Sequence, residues 1–398
     1  MKYDVERVRS KFSALNTGIA FFDGPGGSQV PNFVGNAIAE AITSPISNRG
    51  TTTESEINAN VIVQEFRQAV ADLLDCDHRG VVYGRSWTQL TYDFSRNLAK
   101  GWKAGDEIIV TNLDHDSNVR PWVQAAESVG AVVRWAKIDP VTGELPPSAF
   151  IELLNGKTRL VAVTGAGNTI GTRPDIRAIS AEVHKYSALL YVDGVHLTPH
   201  APVSVKDLGA DFFGFSGYKL MGPHCSVLVA DPALLATIAN DKLLPSTTEV
   251  PERFEFGTLP YEMMRGISAM VDFIADLVPS AGTRRERIVH SMTALEEYEQ
   301  ELFEYMEHEL LSIPDLKSYG KAVHRTPTMY FTIAGIDSLK IYHHLATRKV
   351  NAPASNFYAL EVSRALGLGD AGAVRVGLAP YSTKSDVDRL VFGVKELL

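Results

Sequence analysis

Lys219 stands in the stretch DFFGFSGYKLMGPHC, among aromatics and glycines, directly after a run that reads as a buried strand. An ammonium group taken out of water without a partner is costly, so a lysine placed there invites a chemical reading. In apolar surroundings its pKa falls, and the neutral amine can form a Schiff base with a carbonyl. On these residues alone, a solvated lysine just past a strand end accounts for the sequence equally well. Asp193 sharpens the choice. It closes the apolar run ALLYVD and is followed by GVH. A carboxylate at a buried strand end needs a cationic partner, and no neighbour in sequence supplies one. A pyridinium nitrogen would. The bland alternative is a turn former in the dipeptide DG. An acid facing a pyridinium and a lysine holding a carbonyl, one loop and one strand apart, are the groups that pyridoxal phosphate (PLP) chemistry requires. A phosphate cup is also on offer. In YGRSWTQ a strand meets Gly84 and then Ser86 at a helix start, where free N–H groups and the helix dipole favour an anion. Ser216 and Tyr218 beside Lys219 could add hydroxyl donors.

These residues need a scaffold that brings strand ends together. From about residue 54 to 231, apolar β-branched runs alternate with helical patterns. Strands are expected at 80–84, 107–111, 131–137, 159–165, 188–193, 211–216 and 225–231. Most run without polar alternation, as strands buried on both faces of a mainly parallel sheet do. TESE at Thr53 and SWTQ at Ser86 fit the capping box of a helix start. The pattern is α/β, with helices on both faces of the sheet. A long charged periodic segment over 283–312 predicts a helix of ~45 Å that bridges two domains. Beyond it a small α+β module is expected, with strands at 328–335 and 373–379, a helix over 337–349 and a last helix capped by Thr383. We divide the chain into an N-terminal segment near the site (1–30), a large domain (31–282), and the bridging helix with the small domain (283–398). Open α/β sheets bind ligands at the carboxyl ends of their strands, so the cleft between the domains is the expected site.

Composition narrows the class. The chain has 398 residues, 45% hydrophobic and 21% charged, which suits a globular protein with a large core. A net charge of −9 argues against nucleic acid or an anionic membrane surface as partner. There are two cysteines, Cys76 and Cys225, with no CxxC or CxxH spacing, which excludes a disulfide framework or structural zinc site and suits a reducing cytoplasm. The charged N-terminus predicts no signal peptide, and no apolar run approaches the length of a membrane span. No G-x-G-x-x-G follows the first strand, which disfavours a nicotinamide-binding fold.

The run YVDGVHLTPHAPVSVKDLGADFFGFSGYKLMGPHCSVLVA resembles the cofactor-binding core of class V aminotransferase-fold enzymes, the family that includes the cysteine desulfurases. Further matching stretches follow in chain order: FFDGPGGSQVP, NRG, LDHDSNVRPW, NTIGT, RFEFGT and VRVGLAPYSTKSDVDRLV. The resemblance implies a PLP-dependent transferase fold of type I, with a large mainly parallel seven-stranded sheet domain and a small C-terminal α+β domain. It implies that Lys219 carries the cofactor and that Asp193 pairs with its pyridinium nitrogen. His115 would stack on the ring, and His196 would lie beside the phenolic oxygen. Asn168 would stand near that oxygen and the substrate carboxylate. Arg85, Ser86, Ser216 and Tyr218 fall in the phosphate-binding set, with tyrosine where many relatives use histidine. Arg375 would grip the substrate α-carboxylate, for which a bidentate fork is suited. Thr258 and Arg49 match residues that reach the neighbouring subunit's site, so a homodimer with composite active sites is implied. No metal is expected.

One departure bears on the reaction. Cysteine desulfurases carry a thiol on the loop before the last strand of the small domain. The loop here reads VNAPASNFYALE, with Asn356 nearest the thiol position and expected to face substrate. Phe357 and Tyr358 make the loop apolar, and Asn351 replaces the family's arginine. The expectation is a PLP enzyme acting on an amino acid without a persulfide step, by β-elimination of C–S lyase type. The alternatives are an aminotransferase, an epimerase, or a PLP-binding protein without turnover. The physiological substrate is not legible at this level.

Overall fold

The computed structural model describes residues 2–398. Its centre is a seven-stranded sheet. The strands, in chain order, are β1 (Val81–Gly84), β2 (Glu107–Thr111), β3 (Val132–Ala136), β4 (Thr158–Thr164), β5 (Leu189–Asp193), β6 (Phe212–Ser216) and β7 (Ser226–Ala230). Their spatial order is β1-β7-β6-β5-β4-β2-β3, and only β7 runs antiparallel to its neighbours. All seven coincide with the runs expected from sequence. The side-chain period of two divides each inner strand between two cores. Val81, Ile109, Leu190, Val192 and Phe213 point into one, while Val82, Ile108, Val110, Tyr191 and Phe212 point into the other. Polar alternation appears only at the edge, where β3 is half exposed.

Helices cover both faces. The main ones are α1 (Asn32–Thr43), α2 (Glu54–Leu74), α3 (Trp87–Ala99), α4 (Arg120–Val129), α5 (Ile176–Val183), α6 (Tyr261–Ala275), α7 (Arg284–Leu311), α8 (Ser338–Thr347) and α9 (Lys384–Lys395). The expected capping box at Thr53 forms with Glu56. At Ser86 only half of it does. Ser86 Oγ accepts the Gln89 N–H, but Gln89 Oε1 reaches back to Arg85 N–H, one residue before the cap.

α7, with 28 residues, spans ~42 Å and is the expected bridge. Ile288, Met292 and Leu295 in its first half join the large-domain core, whereas Leu302, Phe303, Met306 and Leu310 join the core of the small domain. That second unit holds a four-stranded antiparallel sheet of β8 (Leu316–Tyr319), β9 (Thr328–Ile333), β10 (Ala354–Ser355) and β11 (Ala373–Gly377), in the order β10-β11-β9-β8. The N-terminal segment ties the two units together. Tyr3, Val8 and Phe12 pack in the large-domain core, Phe22 in the small one, and Ala20 and Phe21 pair with Val350 and Asn351.

Close packing under the site leaves several glycine positions that tolerate no side chain, Gly194 and Gly214 among them. A Cβ at Gly214 in β6 would fall 1.9 Å from the Trp87 ring and 2.6 Å from Val227 O. Gly214→Ala should therefore destabilise the protein by about 1–3 kcal/mol through overpacking. Gly35→Ala, in α1 with open space around it, should be neutral or stabilising by up to ~1 kcal/mol. Urea denaturation of both variants checks the contrast, and an unaltered midpoint for Gly214→Ala would count against this packing.

Candidate active site

The parallel strands end on one edge of the sheet, and the residues singled out by sequence gather there. Asp193 is the last residue of β5, His115 follows β2, Asn168 follows β4, and Lys219 sits in the turn after β6. The small domain closes the cleft with Arg375 on β11 and the loop after β10. Two overlapping cavities result, an outer one of about 640 Å³ and an inner one of about 70 Å³, both bordered by Thr88, His115, Ser117, Asn168, Tyr218 and Lys219.

Asp193 is buried. Its Oδ2 accepts the Trp87 indole N–H at 2.7 Å and its Oδ1 accepts the Val195 N–H at 2.9 Å. Burial still pushes its pKa up to about 6, against the lowering effect of the Val195 N–H, the Lys219 charge and the Trp87 donor. A cation delivered to this carboxylate would be strongly favoured. Lys219 shows the complementary shift. Burial, and secondarily the charge of Arg375, lowers its pKa to about 8, with Asp193 opposing. At pH 7 the neutral amine is then ~300-fold more populated than for an ordinary lysine.

His115 is held neutral. Its Nδ1 accepts the Ser117 N–H at 3.1 Å and lies 2.8 Å from Ser117 Oγ. Burial, followed by the charges of Lys219 and Arg375, lowers its pKa to about 3. The ring stacks on Tyr358 at 5.6 Å and 30°. Ser86 caps α3, so the first turn of a 13-residue helix presents its N–H groups to the inner cavity beside Trp87 and Thr88. Ser216 borders the same cavity, its Oγ 2.8 Å from Ser226 Oγ. Tyr218 stacks on His224 at 5.1 Å.

Arg375 is buried. Its Nη1 donates to Asn168 O at 3.0 Å, and one face of the guanidinium lies on the Phe357 ring at 3.7 Å. Its Nε has no partner, nor has Oδ1 of Asn168. Two orphaned buried polar atoms in one cleft are costly unless a ligand meets them. The Nε side of Arg375 is thus open to a carboxylate. Burial lowers the guanidinium pKa to about 9, so it stays charged at neutral pH. A depressed lysine, a carboxylate short of a cation, a helix N-terminus and a flat neutral imidazole in one cleft fit PLP.

Several expected site residues lie elsewhere or are engaged. His196 borders the inner cavity, but its Nε2 bonds Thr328 Oγ1 at 3.0 Å and its ring abuts His200. Asn356, expected to face substrate, is turned away: its Nδ2 donates to Asp370 O at 2.8 Å and its Oδ1 accepts the Tyr358 N–H at 3.0 Å. The reason is backbone geometry. Phe357 and Tyr358 both have left-handed φ, 53° and 58°, which turns the following rings, not Asn356, into the cleft. Each such bulky residue stores ~1–3 kcal/mol of strain. Arg85 and Thr258 border a separate depression of about 410 Å³ outside the Lys219 cleft. Arg49 pairs with Glu252 at 3.1 Å and contacts Asn60.

Sequence reasoning missed two groups. Trp87 was visible only as a neighbour of Ser86, and its bond to Asp193 depends on the absence of a side chain at Gly214. Asp114, beside His115, is buried and bonded to Thr111 Oγ1 and, at 2.7 Å, to Asn118 Nδ2. Burial pushes its pKa up to about 8.

The aminotransferase class-V family matches residues 20–390. The chain is 32% identical to an uncharacterized protein, MT3887, of Mycobacterium tuberculosis, over the full length of both chains. It is 33% identical to the aminotransferase-like protein FGM3 of Gibberella zeae and 30% identical to a cysteine desulfurase of Klebsiella pneumoniae, covering 100% of this chain and 99% of each relative. Among solved structures, the Escherichia coli cysteine desulfurase CsdA superposes with a TM-score of 0.87 at 25% identity, covering 100% of this chain and 99% of that one. The Thermococcus onnurineus cysteine desulfurase gives 0.88 at 25%, covering 98% and 97%. The chain belongs to the class-V aminotransferase family. It is a PLP-dependent enzyme of fold type I.

The depressed pKa of Lys219 has a kinetic signature. Schiff-base formation needs the neutral amine, so uptake of PLP by the apo-protein should accelerate about tenfold per pH unit between roughly pH 6.5 and 7.5 and level off above about 8. Stopped-flow absorbance reads this directly. Borohydride reduction and peptide mapping should then find the pyridoxyl group on Lys219. A rate still climbing above pH 9.5, or a label on another lysine, would refute the assignment.

Proposed function

We propose that this enzyme catalyses β-elimination on an amino acid with a sulfur leaving group, without a protein persulfide. The observation that carries this reading is the loop over 354–359. It holds no thiol, and it lines the cleft with Ser355, Phe357 and Tyr358. Neither cysteine borders the cleft. Cys225 is buried and Cys76 half-buried, and burial pushes both thiols up to about 12, far from the thiolate that sulfur transfer needs.

PLP, when bound, supplies an electron sink conjugated to the substrate amine. The protein's own groups do the rest. Lys219 would hold the cofactor and Asp193 its pyridinium nitrogen, with the Trp87 N–H orienting the carboxylate. The helix N-terminus at Ser86, with Ser216 and Tyr218, would receive the phosphate. Arg375 would take the α-carboxylate on its free Nε side, and the unpartnered Oδ1 of Asn168, an acceptor, would meet an N–H of the substrate amine. Lys219 Nζ, in its neutral form, would accept the α-proton of the substrate so held. The Cβ–S bond then breaks, sulfur leaves with the electron pair and takes a proton, and the released enamine hydrolyses to pyruvate and ammonium. His115, uncharged and flat, would cover the ring and exclude water.

The subunit reading is also a proposal. Arg49 and Thr258 lie outside this chain's own cleft, and Leu244 and Phe256, on the segment leading to Thr258, are exposed. Both facts support a homodimer in which these residues complete the partner's site. Sedimentation should give twice the 43.5 kDa chain mass, and Thr258→Ala should weaken retention of PLP. A monomer with full cofactor retention would defeat this. Among the described residues no helix is long and apolar enough to cross a membrane, and we infer a cytoplasmic location from the unpaired cysteines.

The reaction is tested by incubating the PLP-loaded enzyme with a panel of amino acids. Pyruvate with ammonium is the expected result. A build-up of pyridoxamine phosphate would mean transamination, and deuterium uptake at Cα without loss of substrate would mean epimerisation. The double variant Cys76→Ala, Cys225→Ala should keep its rate within about threefold, a change below ~0.7 kcal/mol in the barrier. Asp193→Asn should retain cofactor and lose most turnover. A persulfide on Cys225 together with inactivity of Cys225→Ala would restore sulfur transfer.

A further inference from the structure

We propose that the outer half of the cleft is a receptor for an aromatic group carried on the substrate's leaving sulfur, making the preferred substrate a cysteine S-conjugate with an aryl or arylmethyl substituent. The inference rests on the β-elimination reading and narrows it. Beyond Arg375 and Asn168, the cavity continues between Tyr92, Pro121, Phe357 and Tyr358. Its volume of about 640 Å³ must take the cofactor ring beside Lys219 as well as the substrate, so the lining of the outer half, and not the volume, bears on the substituent.

Charge on the wall argues in the same direction. Arg120 borders the outer half, but it is already bonded to Asp116 at 3.0 Å and lies 3.5 Å from Glu361. One guanidinium set against two carboxylates offers nothing to an acidic substituent. Around it the wall is built mainly of Tyr92, Pro121, Phe357 and Tyr358, with the small hydroxyls of Thr88, Ser117 and Ser355 deeper in the cleft.

The backbone supplies an independent observation. Tyr358 is 74% exposed, so its ring adds little to the core, yet it is held in a left-handed conformation that bulky residues avoid. Four hydrogen bonds keep it there. Phe357 N–H donates to Ser355 Oγ (3.1 Å) and Tyr358 N–H to Asn356 Oδ1 (3.0 Å), while Asn168 Nδ2 donates to Phe357 O (3.1 Å) and Asp116 N–H to Tyr358 O (2.7 Å). The last two reach across from the large domain, so the loop is strapped over the site by its backbone and its rings are left to face the opening. Phe357 is part-buried against the core and lies under the Arg375 guanidinium, so packing accounts for it. Tyr358 meets only the His115 ring, and a ligand stacking on its exposed face accounts for holding it in a strained conformation. The elimination balances for such a substrate as for any other: the aryl or arylmethyl thiol departs with the Cβ–S electron pair and one proton, and no oxidant or reductant is required.

The test uses the PLP-loaded enzyme with S-benzyl-L-cysteine and S-methyl-L-cysteine, measuring pyruvate release and, separately, Kd by titration of the cofactor absorbance. We expect kcat/KM and affinity for the benzyl compound to exceed those for the methyl compound by at least about tenfold. Tyr358→Ala should reduce the ratio to about threefold or less, and Tyr358→Phe should restore it, because the ring and not the hydroxyl is used. If the benzyl compound binds tenfold tighter but neither yields pyruvate, the receptor stands and β-elimination falls. Equal or weaker benzyl binding in the wild type, a spectrum unmoved by either compound, or a ratio untouched by Tyr358→Ala would each overturn the receptor.

Discussion

Three charged groups, Asp193, Lys219 and Arg375, are withdrawn from water into one cleft, and much of the architecture answers the cost of doing so. For each of them burial is the largest influence on proton affinity, and each is shifted toward its neutral form. They do not form a closed salt bridge that would cancel the cost. Asp193 is stabilised by an indole and a backbone N–H, Arg375 by a carbonyl and an aromatic face, and Lys219 only by the Tyr218 ring, 5.9 Å from its Nζ. A site left in this condition is preorganised for a ligand that brings an opposite charge to two of them and a carbonyl to the third. The parallel sheet makes this feasible because strands β1, β2, β4, β5 and β6 all deliver their carboxyl ends to the same edge.

Arg375 also shows why the two domains must be fixed relative to one another. Its backbone belongs to the small domain and its Nη1 partner, Asn168 O, to the large one. Loop 355–358 makes the same crossing through Asn168 Nδ2 and Asp116 N–H. Helix α7 and the N-terminal segment, each divided between the two cores, hold this alignment at a distance. A small rotation of the domains would therefore change the space beside Arg375 and the opening at Tyr358 together.

The buried carboxylate of Asp114 adds a further layer behind the site. Burial pushes its pKa up to about 8, which favours the protonated form at neutral pH, so His115 is backed by a neutral acid and not by a second negative charge beside Asp193. A charged Asp114 would compete with Asp193 for the same cation.

The sequence by itself determined the sheet, because uninterrupted apolar runs of strand length have few other uses, and it determined the bridging helix through its length and charge. From residue types alone it raised Lys219 and Asp193 only as candidates beside bland alternatives, and it was the resemblance to a family that pointed to His115, Asn168 and Arg375. Only the tertiary structure decided which way neighbouring side chains point. Asn356 faces away while Phe357 and Tyr358 face in, because two successive left-handed residues redirect the loop. Arg85 and Ser86, adjacent in sequence, serve different cavities. His196 is drawn to Thr328, and Trp87 reaches Asp193 across the space left at Gly214. Each of these outcomes depends on backbone angles and on contacts more than a hundred residues apart in the chain, or on both, and local composition carries no record of either.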